Sequence, residues 1–216
     1  MARLCQPRLS WAPGAARRPH RARRCARREA LVLAAARQFE YRGYEGTSLG
    51  RVAQAVGVSV GALTFHFPSK AALAEAVGTR GELAVRRRVA EASAVSAPPL
   101  DTVVALTLGL ARLLEHDGVV RAAVRLRREP PGGDGTWTGL WLPAAAGALA
   151  RADRGSLHPA VGPDDVLLLA EYLLAGVESR LWWRPHAPYG DGGAERQIAR
   201  LWALLLPALR PTPRRS

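Results

Sequence analysis

The sequence has few of the residues that define several common protein classes. Only two of its 216 residues are cysteines, Cys5 and Cys25, and their position near the start fits neither a disulfide scaffold nor a cysteine-based zinc fold. Aromatic residues make up 6% of the chain, although six of them are tryptophans. No apolar run approaches the ~20 residues of a membrane-spanning helix, and none at the start has signal-peptide length. We therefore expect a cytoplasmic globular protein without a membrane partner.

Acidic residues are absent from the beginning of the chain. Residues 1–28 contain nine arginines and no acid, whereas residues 29–216 contain 22 basic and 18 acidic residues. The formal net charge is +13, and Lys70 is the only lysine. A positive balance favours polyanionic partners such as nucleic acid. The bias towards arginine and alanine is also typical of GC-rich genomes, so the total charge alone does not establish DNA binding.

Residues 1–26 are predicted to form a basic disordered arm. They contain proline, glycine and arginine, and no periodic apolar face. Three alternatives remain open at this point: an upstream extension from an over-long gene model, an arm that grasps DNA, and an arginine-rich transit peptide.

The rest of the chain is predicted to be all-α. Apolar residues recur at helical spacing, and no segment has the alternation of a strand. The predicted helices cover approximately residues 27–42, 49–56, 60–65, 70–88, 101–115, 119–128, 137–152, 164–183 and 194–209. We expect a first unit of three small helices at residues 27–74 and a larger helical bundle at residues 75–210.

The segment from Thr47 to Phe65 has the pattern of a helix-turn-helix. A short amphipathic helix ends at Gly57, and a second short helix with small side chains follows. Small outward residues let a recognition helix approach base edges closely in the major groove. Leu63 and Phe65 are expected to point towards the core. On spacing alone, a tight corner within a helical bundle is the alternative.

The residues themselves strengthen this interpretation. The stretches GYEGTSL at 43–49 and GVSVGALTFHFPSKAAL at 57–73 resemble the N-terminal domain of the TetR family of bacterial transcriptional regulators. The segment GALTFHFPSK at 61–70 is similar to that of γ-butyrolactone receptors, a branch found in antibiotic-producing actinobacteria. Thr64 departs from the family pattern, which usually has a phosphate-contacting tyrosine there. Thr64 keeps a hydroxyl on a much shorter stem, and it is expected either to bond a phosphate or to contact the methyl group of a base.

The resemblance implies a set of DNA contacts. The hydroxyls of Thr47 and Ser48 would bond a phosphate, and His66 and Lys70 would contact the backbone from the other end of the recognition helix. Arg51 would reach a phosphate or lie in solvent. For His66 the alternative to a backbone contact is a helix-end side chain that is hydrogen-bonded by solvent. The predicted DNA-contacting residues are Thr47, Ser48, Arg51, Ser59, Val60, Gly61, Ala62, Thr64, Phe65, His66 and Lys70.

The resemblance makes residues 27–74 a helix-turn-helix DNA-binding domain and residues 75–210 a ligand-binding and dimerisation domain. It therefore also implies an effector site and a homodimer. In the butyrolactone branch a tryptophan covers the ligand; Trp141 is the preferred match and Trp137 the second, both predicted on one helical face. Tyr172 and Ser179 are predicted to supply polar contacts. Plain core packing is the alternative for both tryptophans. The last two helices are expected to pair with those of a second protomer, because their apolar stripes are wide.

We therefore predict a dimeric repressor that leaves double-stranded operator DNA when a small hydrophobic effector, of γ-butyrolactone type, shifts its fourth helix. A pseudo-receptor or efflux-type regulator that responds to an antibiotic or another lipophile is the alternative within the family. Nonspecific compaction of nucleic acid is a second. An enzyme is disfavoured because the five histidines are scattered and no catalytic motif is found, so no catalytic residue, metal or cofactor is predicted.

Overall fold

The computed structural model describes residues 18–129, 137–153, 155–183 and 193–211, and the regular secondary structure of these ranges is helical. No helix among these residues is long and apolar enough to cross a membrane. The helices are α1 Arg18–Arg42, α2 Leu49–Val56, α3 Val60–His66, α4 Lys70–Ala94, α5 Pro99–His116, α6 Gly118–Arg128, α7 Leu142–Ala150, α8 Pro163–Trp183 and α9 Gly193–Leu209. The all-α prediction is confirmed.

Serine caps define the starts of α2, α3 and α4. The hydroxyl oxygens of Ser48, Ser59 and Ser69 each accept a hydrogen bond from the backbone N–H three residues later, at 3.4, 3.1 and 3.0 Å. Gly57 ends α2 with a left-handed backbone, φ +69°, which glycine adopts without steric cost. These local signals fix the angle at which α3 leaves α2.

The first helix is longer than the sequence pattern predicts. It begins at Arg18, so residues 18–26 are helical and the predicted arm does not extend to residue 26. Arginine and alanine favour helix even without an apolar face, and Pro19 lies in the first turn, where its missing N–H costs nothing. The rest of the predicted arm, residues 1–17, lies outside the described residues.

The helix predicted for residues 137–152 is divided in two. A short 3-10 helix covers Thr138–Leu140, and α7 begins only at Leu142. Pro143 causes the division, because proline is accommodated in the first turn of a helix but not in its interior. Trp137 and Trp141 therefore flank a 3-10 turn and do not share one α-helical face.

Two apolar cores are built around α4 and α6. The first core packs α1, α2 and α3 around side chains such as Leu31, Phe39 and Leu63. The second packs α5, α7, α8 and α9 around Trp141 and Trp202. The predicted division at residue 74 falls inside α4, which supplies residues to both cores. The two halves therefore share a helix that continues through them.

The contact between α4 and α6 is unusually close at Gly81. A Cβ atom at this position would collide with the Cβ atom of Ala123 on α6. Close packing of this kind couples the movement of two helices, because neither can shift without displacing the other.

Candidate nucleic-acid interface and effector core

The recognition helix α3 presents a surface of small side chains. Ser59, Val60 and Gly61 are exposed at its start, and Ala62 is half-buried. Leu63 is fully buried and fastens α3 to the first core, as predicted. Phe65 is 71% exposed, so the expectation that it points into the core is wrong. It lies on the opposite side of α3 from Leu63, two residues away along a helix of about 100° per residue.

The side-chain hydroxyl of Thr47 is not directed at DNA. Thr47 is buried, and its Oγ1 donates a hydrogen bond of 2.7 Å to the carbonyl oxygen of Gly43. The proton that a phosphate would accept is thus used inside the protein. Ser48 and Arg51 are both exposed at the start of α2. The Ser48 oxygen accepts the capping bond, which leaves its own O–H to donate outward.

Thr64 also uses its hydroxyl within the helix. Its Oγ1 donates to the carbonyl oxygen of Gly61 at 3.1 Å, and the side chain is half-buried. This geometry favours a contact of its methyl group with a base over a bond to a phosphate.

Lys70 joins the start of α4 to the turn between α1 and α2. Its ammonium donates to the carbonyl oxygen of Tyr44 at 2.9 Å and lies 4.3 Å from the centre of the Tyr44 ring. The carboxylate of Glu45 is 3.7 Å away. The predicted phosphate contact of Lys70 stays a prediction. The structure adds an internal role, in which Lys70 holds the start of α4 against Tyr44.

His66 ends α3 in a strongly positive environment. Burial is the first cause that lowers the pKa of His66 below its ordinary value of 6.5, and the guanidinium groups of Arg24, Arg27 and Arg28 lower it further. A neutral imidazole still has one N–H to donate to a phosphate. This predicted contact also stays a prediction.

The structure brings Trp137 and Trp141 together in the second core. Both indoles are buried, with ring centroids 6.3 Å apart and planes tilted by 54°. Trp137 Nε1 donates to Glu178 Oε2 at 3.1 Å, and Trp202 Nε1 donates to Thr107 Oγ1 at 2.8 Å. Trp141 Nε1 is buried without a hydrogen-bond partner. A buried N–H without a partner is able to donate a hydrogen bond to an acceptor on a ligand.

Glu178 is a charged residue buried in this core, and the sequence pattern does not identify it. Its carboxylate is buried, accepts from Trp137, and forms an ion pair of 2.7 Å with Arg128. Burial raises the pKa of Glu178, although Arg128 and the Trp137 N–H oppose the shift. Its second oxygen, Oε1, has no hydrogen-bond partner. The sequence feature that could have identified Glu178 is its position next to Val177, on the inward side of an apolar helix.

Tyr172 and Ser179 do not join the tryptophans. Both side chains are exposed on α8, on the face turned away from the second core. The prediction that they contact a ligand in this core is wrong for the geometry of a single chain. Tyr172 precedes Ser179 by seven positions, about two helical turns, so both side chains lie on the same outer face of α8.

Arginines of α6 and the acid that follows it connect the two cores. Arg121 and Arg125 bond the end of α1: Arg121 pairs with the Glu40 carboxylate at 2.6 Å, and Arg125 donates to the Glu40 carbonyl oxygen at 2.8 Å. Glu129, directly after α6, accepts from the backbone N–H of Tyr44 at 2.5 Å. Arg128 holds Glu178 of the second core. One short helix therefore contacts both halves of the chain. The first is the reading head, formed by α1, α2 and α3, and the other is the second core, which is the candidate effector core.

A cavity of about 210 Å³ lies at this junction, between α1, α5, α6 and α8. Glu178 lines it from the side of the second core, and Glu40 and Tyr41 line it from α1. Trp182 of α8 also lines it, with the guanidinium of Arg125 4.6 Å from its ring centre. The cavity thus touches both halves of the chain.

Comparison with known proteins explains this arrangement. Residues 31–77 match the model of bacterial regulatory proteins of the tetR family. The A-factor receptor protein of Streptomyces griseus is 30% identical over 182 residues, which are 83% of this chain and 62% of the receptor. The chain therefore spans less than two thirds of that relative.

Solved structures of receptors of the same kind have the same fold. A γ-butyrolactone receptor described as ArpA-like is 29% identical, with a TM-score of 0.70 over 90% of this chain and 93% of that chain. CprB from Streptomyces coelicolor, in complex with its biological operator sequence, is 29% identical, with a TM-score of 0.69 over 89% and 92%. Residues 31–77 form a TetR-family domain. Over most of its length the chain is similar to γ-butyrolactone receptors.

The matched region of the TetR family covers the reading head and ends early in α4. It includes all the predicted DNA-contacting residues from Thr47 to Lys70. It includes neither the second core with its tryptophans nor the first turns of α1, from Arg18 to residue 30. These two regions must be interpreted from their own contacts.

Proposed function

We propose that this TetR-family chain is a dimeric transcriptional repressor, acting in the cytoplasm on operator DNA. A small hydrophobic effector of γ-butyrolactone type releases it. Support comes from the likeness to the A-factor receptor protein and to the CprB operator complex, and from the exposed small side chains of α3. The matched family is one of regulatory proteins and the curated relative is a receptor, so we propose no enzymatic activity for this chain.

The sharing of α4 and α6 between the two cores carries this proposal. A change in the second core that moves α6 or α4 reaches the turn between α1 and α2, directly before the helix-turn-helix, through Lys70, Tyr44 and Glu129. In a dimer, a small rotation of α4 alters the distance between two recognition helices. Operator half-sites one helical turn apart, about 34–36 Å, tolerate little change in that distance.

Two unpartnered polar atoms define the chemistry of the effector. The Trp141 N–H requires an acceptor such as a lactone carbonyl, and Glu178 Oε1 requires a donor such as a hydroxyl. The apolar side chains around them favour an alkyl chain. A compact lactone with a hydroxyl group and an aliphatic tail meets all three requirements.

An outward apolar surface on α8 and α9 is suited to the dimer. Four of its large side chains are exposed in the single chain: Leu168, Tyr172, Leu201 and Leu204. Large apolar side chains that a single chain leaves exposed are typical of a surface covered by a partner. We propose that a second copy of the chain covers them.

For release, the effector must bind the DNA-incompetent conformation more tightly than the competent one. In the described conformation the tryptophans pack closely together. An effector that inserts between them and α8 therefore favours a different arrangement of the second core. Disturbance of the Trp137–Glu178–Arg128 contacts would pass this change to α6.

A gel-shift titration on the intergenic DNA upstream of the protein's own gene tests the proposal. Unrelated competitor DNA is present in excess, and a synthetic hydroxylated alkyl-γ-butyrolactone is added in a second series. We expect a discrete shift that the lactone abolishes. A discrete shift that resists the lactone but yields to another lipophile would keep the repressor and reject the lactone. Competition by any DNA would reject specific recognition.

A further inference from the structure

The first turns of α1 carry a dense positive charge beside the recognition helix. These turns run from Arg18 to residue 30, directly before the region that matches the family model. No acidic residue occurs before Glu29. The arginines of this segment whose side chains are described are exposed: Arg23, Arg24, Arg27 and Arg28.

Arg24 stacks on the recognition helix itself. Its guanidinium carbon lies 5.3 Å from the ring centroid of Phe65. Phe65 is the aromatic side chain that α3 leaves 71% exposed, and a large apolar ring on a DNA-reading surface requires an explanation. The contact with Arg24 explains the exposed ring, because the face of the ring holds the guanidinium by a cation–π interaction.

A stacked guanidinium keeps its hydrogen-bonding capacity. The flat face of an arginine contacts the ring, whereas its N–H groups point outward in the plane of the group. Such an edge is well suited to the paired oxygens of a phosphate. The neighbouring Arg28 is also exposed, and its guanidinium lies 4.7 Å from the ring centre of Phe67, a residue of the first core.

The charge of this cluster reaches α3. Phe65 and His66 contact each other edge to face, with ring centroids 5.5 Å apart. Burial, and after it the charges of Arg24, Arg27 and Arg28, lower the pKa of His66 at the end of the recognition helix. An approaching phosphate would therefore meet a concentrated positive potential here.

We propose that Arg24, held by Phe65, binds a DNA phosphate and forms a second contact element beside the helix-turn-helix. The phosphate is one that flanks the bases read by α3. This contact adds affinity without reading sequence, and it fixes the depth at which α3 enters the groove. The inference rests on the proposed function, because it requires DNA to be the ligand of α3.

The test compares the salt dependence of DNA binding for Arg24→Ala and for a control, Arg86→Ala. Arg86 is exposed on α4, roughly 24 Å along the helix axis from Lys70. Both variants lose the same charge. Affinity for the upstream duplex is measured by fluorescence anisotropy from about 50 to about 200 mM salt.

We expect Arg24→Ala to bind operator and unrelated duplexes roughly tenfold more weakly, because a phosphate contact is independent of sequence. The loss of one phosphate contact in each protomer flattens the slope of log affinity against log salt by ~1.8. Arg86→Ala should keep the slope of the unaltered protein. Phe65→Leu should lose part of the affinity, and the double variant should bind no more weakly than Arg24→Ala.

An unchanged salt slope in Arg24→Ala, while the unaltered protein forms its discrete complex, would overturn this inference and leave the proposed function intact. Full affinity in Phe65→Leu would overturn the role of the stack. Failure of the unaltered protein to form any discrete complex would instead contradict the proposed function.

Discussion

The reading head and the effector core hold their functional residues in opposite ways. In the head, short-range contacts such as the Ser59 cap and the Gly57 turn set each position, and the side chains that face DNA carry few internal contacts. In the core, the Trp137–Glu178 bond joins residues 41 apart in the chain, and the Glu178–Arg128 pair adds a third element.

This difference has a functional meaning. A surface that reads DNA must be rigid in its backbone and free in its side chains. A core that responds to an effector must have polar groups that can exchange partners, as Trp141 and Glu178 can. Variants that remove packing from the head and variants that remove polar contacts from the core should therefore have different consequences.

The largest effect is expected from Leu63→Ala in the head. Leu63 is fully buried, and its truncation should cost about 3 kcal/mol of the free energy of unfolding. Val60→Ala, on the exposed face of the same helix, should change it by less than about 0.5 kcal/mol but alter the operator preference. Urea denaturation and competition binding separate the two. Equal destabilisation would contradict the division of α3 into an anchored and a reading face.

The next effect is expected from Arg128→Ala, which leaves the buried Glu178 carboxylate without its ion pair. Because Arg128 is 42% exposed, water replaces part of its charge. We therefore expect a loss of about 2 kcal/mol, below the 3–5 kcal/mol range of fully buried pairs. Lactone-induced release should weaken in the same variant. Arg86→Ala serves as the control for charge. Normal release with normal stability would show that the pair plays no part in coupling.

The smallest effect concerns pH and His66. Its pKa lies below 6.5 in the free protein, and a bound phosphate should raise it, so DNA binding takes up protons. Affinity should increase as the pH falls between these two pKa values, by up to about tenfold per pH unit, and should be constant above them. Binding titrations at constant ionic strength measure this. His66→Gln should abolish the dependence; a persisting slope would assign it to another group.

Much of the head could be predicted from the sequence because its determinants are local. The serine caps, Gly57 and the apolar spacing indicate α2 and α3 almost to the residue. Thr47 and Phe65 are exceptions. The partner of the Thr47 hydroxyl depends on the turn geometry at Gly43. Phe65 lies two residues after the buried Leu63 and therefore on the opposite side of α3, a consequence of helix periodicity that the prediction overlooked.

The effector core could be predicted only in part. A tryptophan pair is visible in the sequence, but its setting depends on Pro143, which divides the expected helix. Tyr172 and Ser179 have suitable chemistry, yet the rotation of α8 places them outside. Glu178 points inward because Val177 and Leu174 bury the same side of α8, and helix packing determines this rather than any motif.

The central claim is that an effector bound in the second core controls DNA binding by the head. The most direct test is operator binding by Trp141→Phe, which removes the unpartnered N–H and keeps an aromatic ring, with increasing amounts of the lactone. We predict unchanged operator affinity without lactone and roughly tenfold more lactone for half-release, because a hydrogen bond to a buried donor is lost. Release at the same lactone concentration as in the unaltered protein would contradict the account.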